Sequence, residues 1–343
     1  MIRTLLLLVI FINLAGCSVL DVARYEFTTS KTKFSNYQLV ERSWKRAGDP
    51  IHLNNGDLRD LGFYSALVLK NDAVLFELYK SGRGPDSTSN VKSVSKSIFS
   101  AVVGIAEHQC IVSLDKEILS VNGCEVPKAM SRLTALNLLN MDAGLRYIEN
   151  QSMDIYIKKD WYCEILNLPV EVANGQRFNY ATPQSYLLGA YMQQQLNTPL
   201  KQYFDEVLFT PLDIYLKGWR YSPESLPFNG TDMVLTTHDL LAFAQLYINQ
   251  GKYKGTQVIP GDWINQSFET VWPEAQGQYG YGLHWWQTTI SNHKFLVAMG
   301  YGGQSIFINR ENQLIVVTTA PLNRHDERMI YLRDFIAEVL EQI

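Results

Sequence analysis

A serine three residues ahead of a lysine can carry nucleophilic chemistry, because on a helix the two side chains lie one turn apart on one face. The sequence holds five such pairs: Ser30–Lys33, Ser89–Lys92, Ser93–Lys96, Ser113–Lys116 and Ser291–Lys294. Chemistry further requires that the serine open the helix, where free N–H groups and the dipole favour a developing anion. The lysine must also be buried, so that its pKa falls and it can take a proton near neutrality. Ser30 and Ser291 sit in polar stretches without helical period, Ser113 follows a helix, and Ser89 lies in the loop before one. Ser93 begins a segment with Ile98, Val102 and Ile105 at helical spacing, predicted as a helix from Val91–Ser93 to about Gln109. Ser93 is therefore the candidate nucleophile and Lys96 its candidate base, in acyl transfer that needs no cofactor.

The flanking elements are those that would hold such a helix. Phe63 to Lys70 and Ala73 to Lys80 are apolar-rich runs joined by Asn71-Asp72, a two-residue hairpin signal, and Ser81 to Asn90 is a loop. From about Leu114 to Trp263 helical stretches alternate with Gly/Pro/Asn loops, most clearly at Leu133–Leu139, Gln184–Gln195 and His238–Asn249. Lys294–Ala298, Gln304–Asn309 and Gln313–Thr319 read as strands, and Arg328–Ile343 as a closing amphipathic helix. The expected fold is α/β of the α+β kind: an antiparallel sheet built from both chain ends, flanked by helices, with an inserted, mainly helical lobe. A single hydrolase-sized domain over 46–343 is expected, its α/β part at 46–95 and 280–343 and its helical lobe at 96–279.

The 343 residues are 46% hydrophobic and 19% charged, enough for a large core. A formal net charge of −4 leaves no basic excess for a nucleic-acid backbone, so nucleic acid is not an expected partner. The first residues are expected outside the fold. Arg3 precedes the apolar run Leu5–Ile12, which is too short to span a bilayer and reads as a secretory signal over 1–16. Leu14-Ala15-Gly16-Cys17 resembles a bacterial lipobox, implying a lipidated Cys17, a tether over 17–45 and membrane attachment in the cell envelope. Ser18 after that cysteine favours the outer membrane, facing the periplasm. Of the other cysteines, Cys110 and Cys124 are placed to bridge the end of one helix to the following loop, leaving Cys163 as the odd thiol. No Cys-x-x-Cys or close His/Cys cluster suggests a metal.

Ser93-Val94-Ser95-Lys96-Ser97, following a hairpin, resembles the nucleophile motif of the serine β-lactamase-like family. That family includes AmpC-type β-lactamases, D-Ala-D-Ala peptidases, esterases and 6-aminohexanoate-dimer hydrolases. Met141-Asp142-Ala143-Gly144-Leu145 is similar to its T-x-x-SGL loop, and Asn174 to Tyr180 with Tyr186-Leu187-Leu188-Gly189 to its PG-x-x-F-x-Y…LLG block. Leu235 to Leu240 matches L-T-x-x-D-L, Tyr281 to Trp286 matches YG-x-x-WW, and Gly300-Tyr301-Gly302-Gly303-Gln304 fits the third motif. The blocks keep the family's order over roughly residues 55 to 340. The resemblance implies Tyr180 as a second base, sharing a proton with Lys96, whose charge would stabilise its phenolate. It also implies an oxyanion hole from the backbone N–H groups of Ser93 and Gln304, with Gly302 and Gly303 admitting the substrate.

Two positions depart from the pattern. The family's Tyr-x-Asn reads Tyr180-Ala181-Thr182, losing an amide that often contacts substrate and lysine. The third motif, often Lys-Thr-Gly or His-x-Gly, begins with the uncharged Tyr301. Thr182, Tyr301, Gly302 and Gly303 are the expected substrate contacts. Without a cation to meet a substrate carboxylate, small esters, amides or peptides are expected as substrates rather than β-lactams. The alternative is a catalytically degenerate relative that binds peptidoglycan or a peptide. No Gly-x-Ser-x-Gly elbow supports a Ser-His-Asp hydrolase, and no His-x-His or His-Glu-x-x-His pair supports a metal hydrolase. Trp161, Tyr147, Trp285 and Trp286 are candidate cleft aromatics.

Overall fold

The computed structural model describes residues 30–34, 45–46, 51, 53, 56–149 and 154–343. The expected signal over 1–16, Cys17 and most of the tether lie outside the described residues. In chain order the strands are β1 (Ser30–Phe34), β2 (Lys45–Arg46), β3 (Ser65–Lys70), β4 (Ala73–Tyr79), β5 (Thr88–Asn90), β6 (Ser120–Val121), β7 (Cys124–Glu125), β8 (Gly218–Tyr221) and β9 (Val234–Thr236). There follow β10 (Lys252–Tyr253), β11 (Thr256–Gln257), β12 (Trp272–Gln276), β13 (Tyr279–Gly282), β14 (Trp285–Ile290), β15 (His293–Gly300), β16 (Gln304–Asn309) and β17 (Leu314–Thr319). The α-helices are α1 (Gly56–Asp60), α2 (Val94–His108), α3 (Ala135–Leu139), α4 (Trp161–Leu166), α5 (Thr182–Gln195), α6 (Leu200–Phe204), α7 (Thr237–Ile248), α8 (Gly261–Ser267) and α9 (His325–Glu341).

Nine strands form one sheet in the order β12-β13-β14-β15-β16-β17-β3-β4-β2, antiparallel except for the β2–β4 pair. The central strands β16 and β17 are buried at every position because both faces are covered. Leu67, Leu69, Ile306, Ile308, Ile315 and Val317 point to one face, into a core shared with Ile98 and Val102 of α2 and with α7. Ala66, Val68, Phe307 and Val316 point the other way, onto Leu332, Phe335, Ile336 and Val339 of α9. The mixed architecture of a large antiparallel sheet with helices is the one expected. Strands from both chain ends supply it, and a second sheet, β1-β8-β9-β5, pairs two strands that precede α2 with two from the intervening part.

Helix α2 is buried on all sides from Val94 to Ala106, and its Ser95, Lys96 and Ser97 side chains are hydrogen-bonded there. Helix α9 starts three residues before the expected Arg328, which is buried and acts as a clamp. Its guanidinium donates to the carbonyls of Leu61 (2.9 Å), Gly302 (2.7 Å) and Pro321 (2.8 Å), tying the start of α9 to the β15–β16 turn. Thr236 and Asp239 form a capping box at α7, a physical reason for the L-T-x-x-D-L block.

The cysteine pairing differs from the one expected. Cys124 is bonded to Cys163, with Cα atoms 5.5 Å apart, and Cys110 is free and exposed. Cys124 on β7 faces α4, which carries Cys163, whereas Cys110 lies past the last turn of α2 and points to solvent. Sequence proximity favoured the wrong partner because the chain between Cys110 and Cys124 leads away from that helix end. Among the described residues, no helix is long and apolar enough to cross a membrane.

Candidate active site

Ser93 stands at the head of α2, after a turn in which Lys92 takes a left-handed φ of 49°. Such a conformation costs a non-glycine residue roughly 1–3 kcal/mol and persists only where neighbours hold it. Here Lys92 N–H donates to Asn90 Oδ1 (3.0 Å) and its carbonyl accepts from Ser95 Oγ (2.6 Å). Lys92 Nζ pairs with Asp232 at 2.8 Å, where Arg220 Nε (2.9 Å) and Asn90 Nδ2 (2.8 Å) converge on the same buried carboxylate. Burial pushes the Asp232 carboxyl up, but Lys92 and Arg220 outweigh it and hold it below its usual value.

Lys96 is 1% exposed. Its Nζ lies 3.0 Å from Ser93 Oγ, 2.8 Å from Thr182 Oγ1 and 2.8 Å from the Gly230 carbonyl oxygen. Burial lowers its pKa to about 8, with Glu149 and Asp232 partly opposing the shift. About a tenth is then free amine at pH 7, against well under a thousandth for an ordinary lysine. Burial, the condition that distinguished the Ser93–Lys96 pair in the sequence, is met.

Tyr180 lines the cavity beside Ser93, and its ring centroid lies 4.9 Å from Lys96 Nζ. Burial, then the charge of Glu149, push the phenol above its ordinary pKa, and the neighbouring Ser93 hydroxyl offsets this only in part. The direction is opposite to the phenolate expected from the resemblance: Tyr180 is a neutral hydroxyl here. The motif blocks lock together to place it. Asn179 N–H donates to Met141 O (2.8 Å), and its Nδ2 donates to Leu145 O (2.7 Å) and Tyr147 O (3.1 Å). Gln184 bridges the same two segments, accepting from Ala143 N–H (3.0 Å) and donating to Asn179 O (2.8 Å). Trp286 packs on the Tyr180 ring at 5.2 Å and lines the cavity in front of Ser93. Trp161 and Trp285 are fully buried and Tyr147 nearly so, as core residues.

That cavity, about 860 Å³, is bordered by Ser93, Glu149, Tyr180, Trp286, Met299, Gly300, Tyr301 and His325, among others. The pairing of β15 with β14 ends at Val297, so Met299 and Gly300 run past Ser93 with that edge unpaired. A Cβ on Gly300 would stand 2.3 Å from the Val91 carbonyl oxygen, which no side chain tolerates. Hypothetical Cβ atoms on Gly302 and Gly303 meet Pro321 and the Arg328 side chain instead. The turn thus needs glycine at all three positions, and Gly302 and Gly303 also take positive φ of 93° and 102°. Gln304, expected as the oxyanion donor, pairs with Gly300 in the ladder and exchanges side-chain hydrogen bonds with Ala320 at 2.5 and 3.1 Å, outside the cavity lining. Among the described residues, the backbone N–H groups of Ser93 and Tyr301 have no acceptor.

Thr182, expected to touch substrate, is buried and touches Lys96 instead. Tyr301 sits on the rim, 48% exposed and stacked on His325 at 5.0 Å. The sequence reading missed Glu149, Gly230, Asp232 and His284. Glu149 lies in a non-periodic loop, and Asn229-Gly230-Thr231-Asp232 carries only a turn signal. His284 is fully buried, with a pKa lowered to about 3 first by burial and then by Lys96. It binds Ser185 Oγ (3.1 Å), Ser97 Oγ donates to its carbonyl (2.8 Å), and its N–H donates to Leu139 O (2.9 Å), joining α2, α3 and α5. A lone histidine gives no sequence signal for that role.

A model of the beta-lactamase family matches residues 61–341. The chain belongs to the beta-lactamase family. Membership places it among hydrolases of the penicillin-binding-protein and β-lactamase fold. No curated protein matches the sequence. Among solved structures, a candidate 6-aminohexanoate-dimer hydrolase from Bacillus anthracis is similar over 94% of this chain and 95% of its own, at 16% identity and a TM-score of 0.74. A candidate beta-lactamase from Bacteroides dorei is similar over 85% and 100%, at 20% identity and 0.69. EstCE1, a hydrolase with promiscuous acyltransferase activity, is similar over 82% and 96%, at 16% identity and 0.65. At these identities the likeness is one of fold.

Proposed function

We propose that the protein is a serine hydrolase that cleaves esters or amides through an acyl-enzyme on Ser93. The observation that carries this reading is the contact of Lys96 Nζ with Ser93 Oγ at 3.0 Å, inside a buried pocket that brings the amine within reach of neutrality. Lys96 is the first base: as Ser93 Oγ bonds to the substrate carbonyl carbon, its proton passes to Nζ and the carbonyl electron pair moves to oxygen. The N–H groups of Ser93 and Tyr301 are the donors for that oxyanion, preorganised by the helix start and the turn that carry them. The tetrahedral adduct collapses as the leaving oxygen or nitrogen takes a proton from the Tyr180 hydroxyl while the Lys96 ammonium returns its proton to the Tyr180 oxygen, restoring the neutral amine and the neutral phenol. Water then repeats the sequence on the Ser93 ester, releasing the acid.

The substrate side contains no lysine or arginine along the cavity lining, and Tyr301 stands where a cation would meet a β-lactam carboxylate. That composition favours neutral acyl groups. The lipobox-like Leu14-Ala15-Gly16-Cys17 supports a lipid anchor at Cys17 and an envelope location facing the periplasm, and the Cys124–Cys163 bond suits an oxidising compartment. The test is turnover of p-nitrophenyl butyrate and nitrocefin by wild type and Ser93→Ala. Ester turnover that vanishes in the variant, with nitrocefin at least tenfold slower in wild type, is expected. Equal background rates for both proteins would leave a binding protein as the reading.

A further inference from the structure

We infer that Glu149 is a positioning residue that fixes the direction of the hydrogen bond between Thr182 and Lys96, and so aims the lysine's lone pair at Ser93. The inference rests on the hydrolase reading above. Glu149 grips Thr182 with both carboxylate oxygens: Thr182 N–H donates to Oε2 at 2.8 Å and the Thr182 hydroxyl donates to Oε1 at 2.5 Å. A hydroxyl has one hydrogen, so with that hydrogen committed Thr182 Oγ1 offers Lys96 only lone pairs. Gly230 O, the second partner of Lys96 Nζ, is a carbonyl and also accepts only.

A neutral amine has two hydrogens and one lone pair. Both hydrogens are claimed, by Thr182 Oγ1 and Gly230 O, each 2.8 Å away. The direction left for the lone pair is the third contact, Ser93 Oγ at 3.0 Å. Without Glu149, the Thr182 hydroxyl is free to rotate and donate to the amine, occupying the lone pair that must take the Ser93 proton. A hydroxyl is ambiguous where a side-chain carbonyl is not, and the carboxylate removes the ambiguity. This gives physical content to the departure at Thr182: a Thr–Glu pair supplies the obligate acceptor that an asparagine amide oxygen would supply alone. Glu149 also contributes a negative charge that raises the Lys96 pKa, so its removal has a second signature in the pH profile.

The test is the rate of Ser93 phosphonylation by a fluorophosphonate, followed across pH in wild type, Glu149→Ala, Thr182→Asn, and the double variant. Glu149→Ala is expected to lower the plateau rate by at least roughly tenfold, a fraction of the 10²–10⁴ that a positioned general base contributes. Its acid limb should move to lower pH. Adding Thr182→Asn should restore most of the plateau while leaving the limb shifted, because the asparagine carbonyl needs no partner to fix its role. Thr182→Ser, the smaller change, should remain dependent on Glu149 and serves if the asparagine variant does not fold. A wild-type plateau with an unmoved limb in Glu149→Ala overturns the inference, as does a loss unaltered by Thr182→Asn in a folded protein. Absence of any Ser93 adduct in wild type overturns the hydrolase reading instead.

Discussion

The two walls of the cavity are built differently. Behind Ser93, the side-chain nitrogens and oxygens of Lys96, Thr182 and Asp232 are buried, that of Lys92 is partly so, and all are held by named partners within about 3 Å. Across from it, Tyr301, His325, Asp326 and Met329 form a rim of partly exposed side chains on a turn and a helix start, held by a ring stack and by Gly302 N–H to His325 Nδ1 at 3.1 Å. A charge can be tuned only where water is excluded, so the chemistry belongs to the first wall. Selectivity belongs to the second, where a side chain can change without leaving a buried group unpaired.

Substitutions in the buried wall should therefore be severe and insensitive to substrate. Lys96→Ala is expected to cut kcat/KM for any ester by about 10³-fold or more, through loss of the general base. Steady-state assays with butyrate and acetate esters should show equal losses; a loss confined to one ester would move Lys96 to the selectivity side. Asp232→Ala removes the buried carboxylate on which Lys92, Arg220 and Asn90 converge and should cost about 3–5 kcal/mol in urea unfolding. A cost under about 1 kcal/mol would show that the ion cluster does not hold the Lys92 turn.

The pH dependence sharpens the same division. Because neutral Lys96 is the active form, kcat/KM should rise as pH climbs through about 8 and then level. A rate that falls through this range would require the ammonium form and contradict Lys96 as base. The smallest effects belong to the rim. Tyr301→Phe should change ester turnover less than about threefold, since its side chain is not given a catalytic step. Tyr301→Lys should raise nitrocefin acylation severalfold by offering its carboxylate a cation. An abolished ester activity in Tyr301→Phe would erase the boundary between the two walls.

The parts of this arrangement that were legible in the sequence are those carried by periodicity or by local chemistry. The helix behind Ser93 announces itself through buried spacing, the strands of both chain ends through apolar runs, and the α7 start through a capping box. Lys96 and Tyr180 follow from motif order. What was not legible depends on contacts between segments far apart in the chain. Glu149 reaches Thr182 across 33 residues and Gly230 reaches Lys96 across 134, and neither segment has a pattern that points to the other. The third motif was legible only as a run of glycines: Gly300, Gly302 and Gly303 look alike as letters, and only the tight turn after β15 decides that Gly300 packs on Val91 while Gly302 and Gly303 meet Pro321 and Arg328. The cysteines misled through nearness in sequence.

The central claim is that Ser93 becomes acylated with Lys96 as the base. Its most direct measurement is peptide mass mapping after acid quench of p-nitrophenyl butyrate turnover at pH 8, in wild type, Ser93→Ala and Lys96→Ala. The account predicts a butyryl mass on the peptide containing Ser93 in wild type, and none in either variant on the turnover timescale. A butyryl group on another residue, or undiminished labelling of Ser93 in Lys96→Ala, would contradict it.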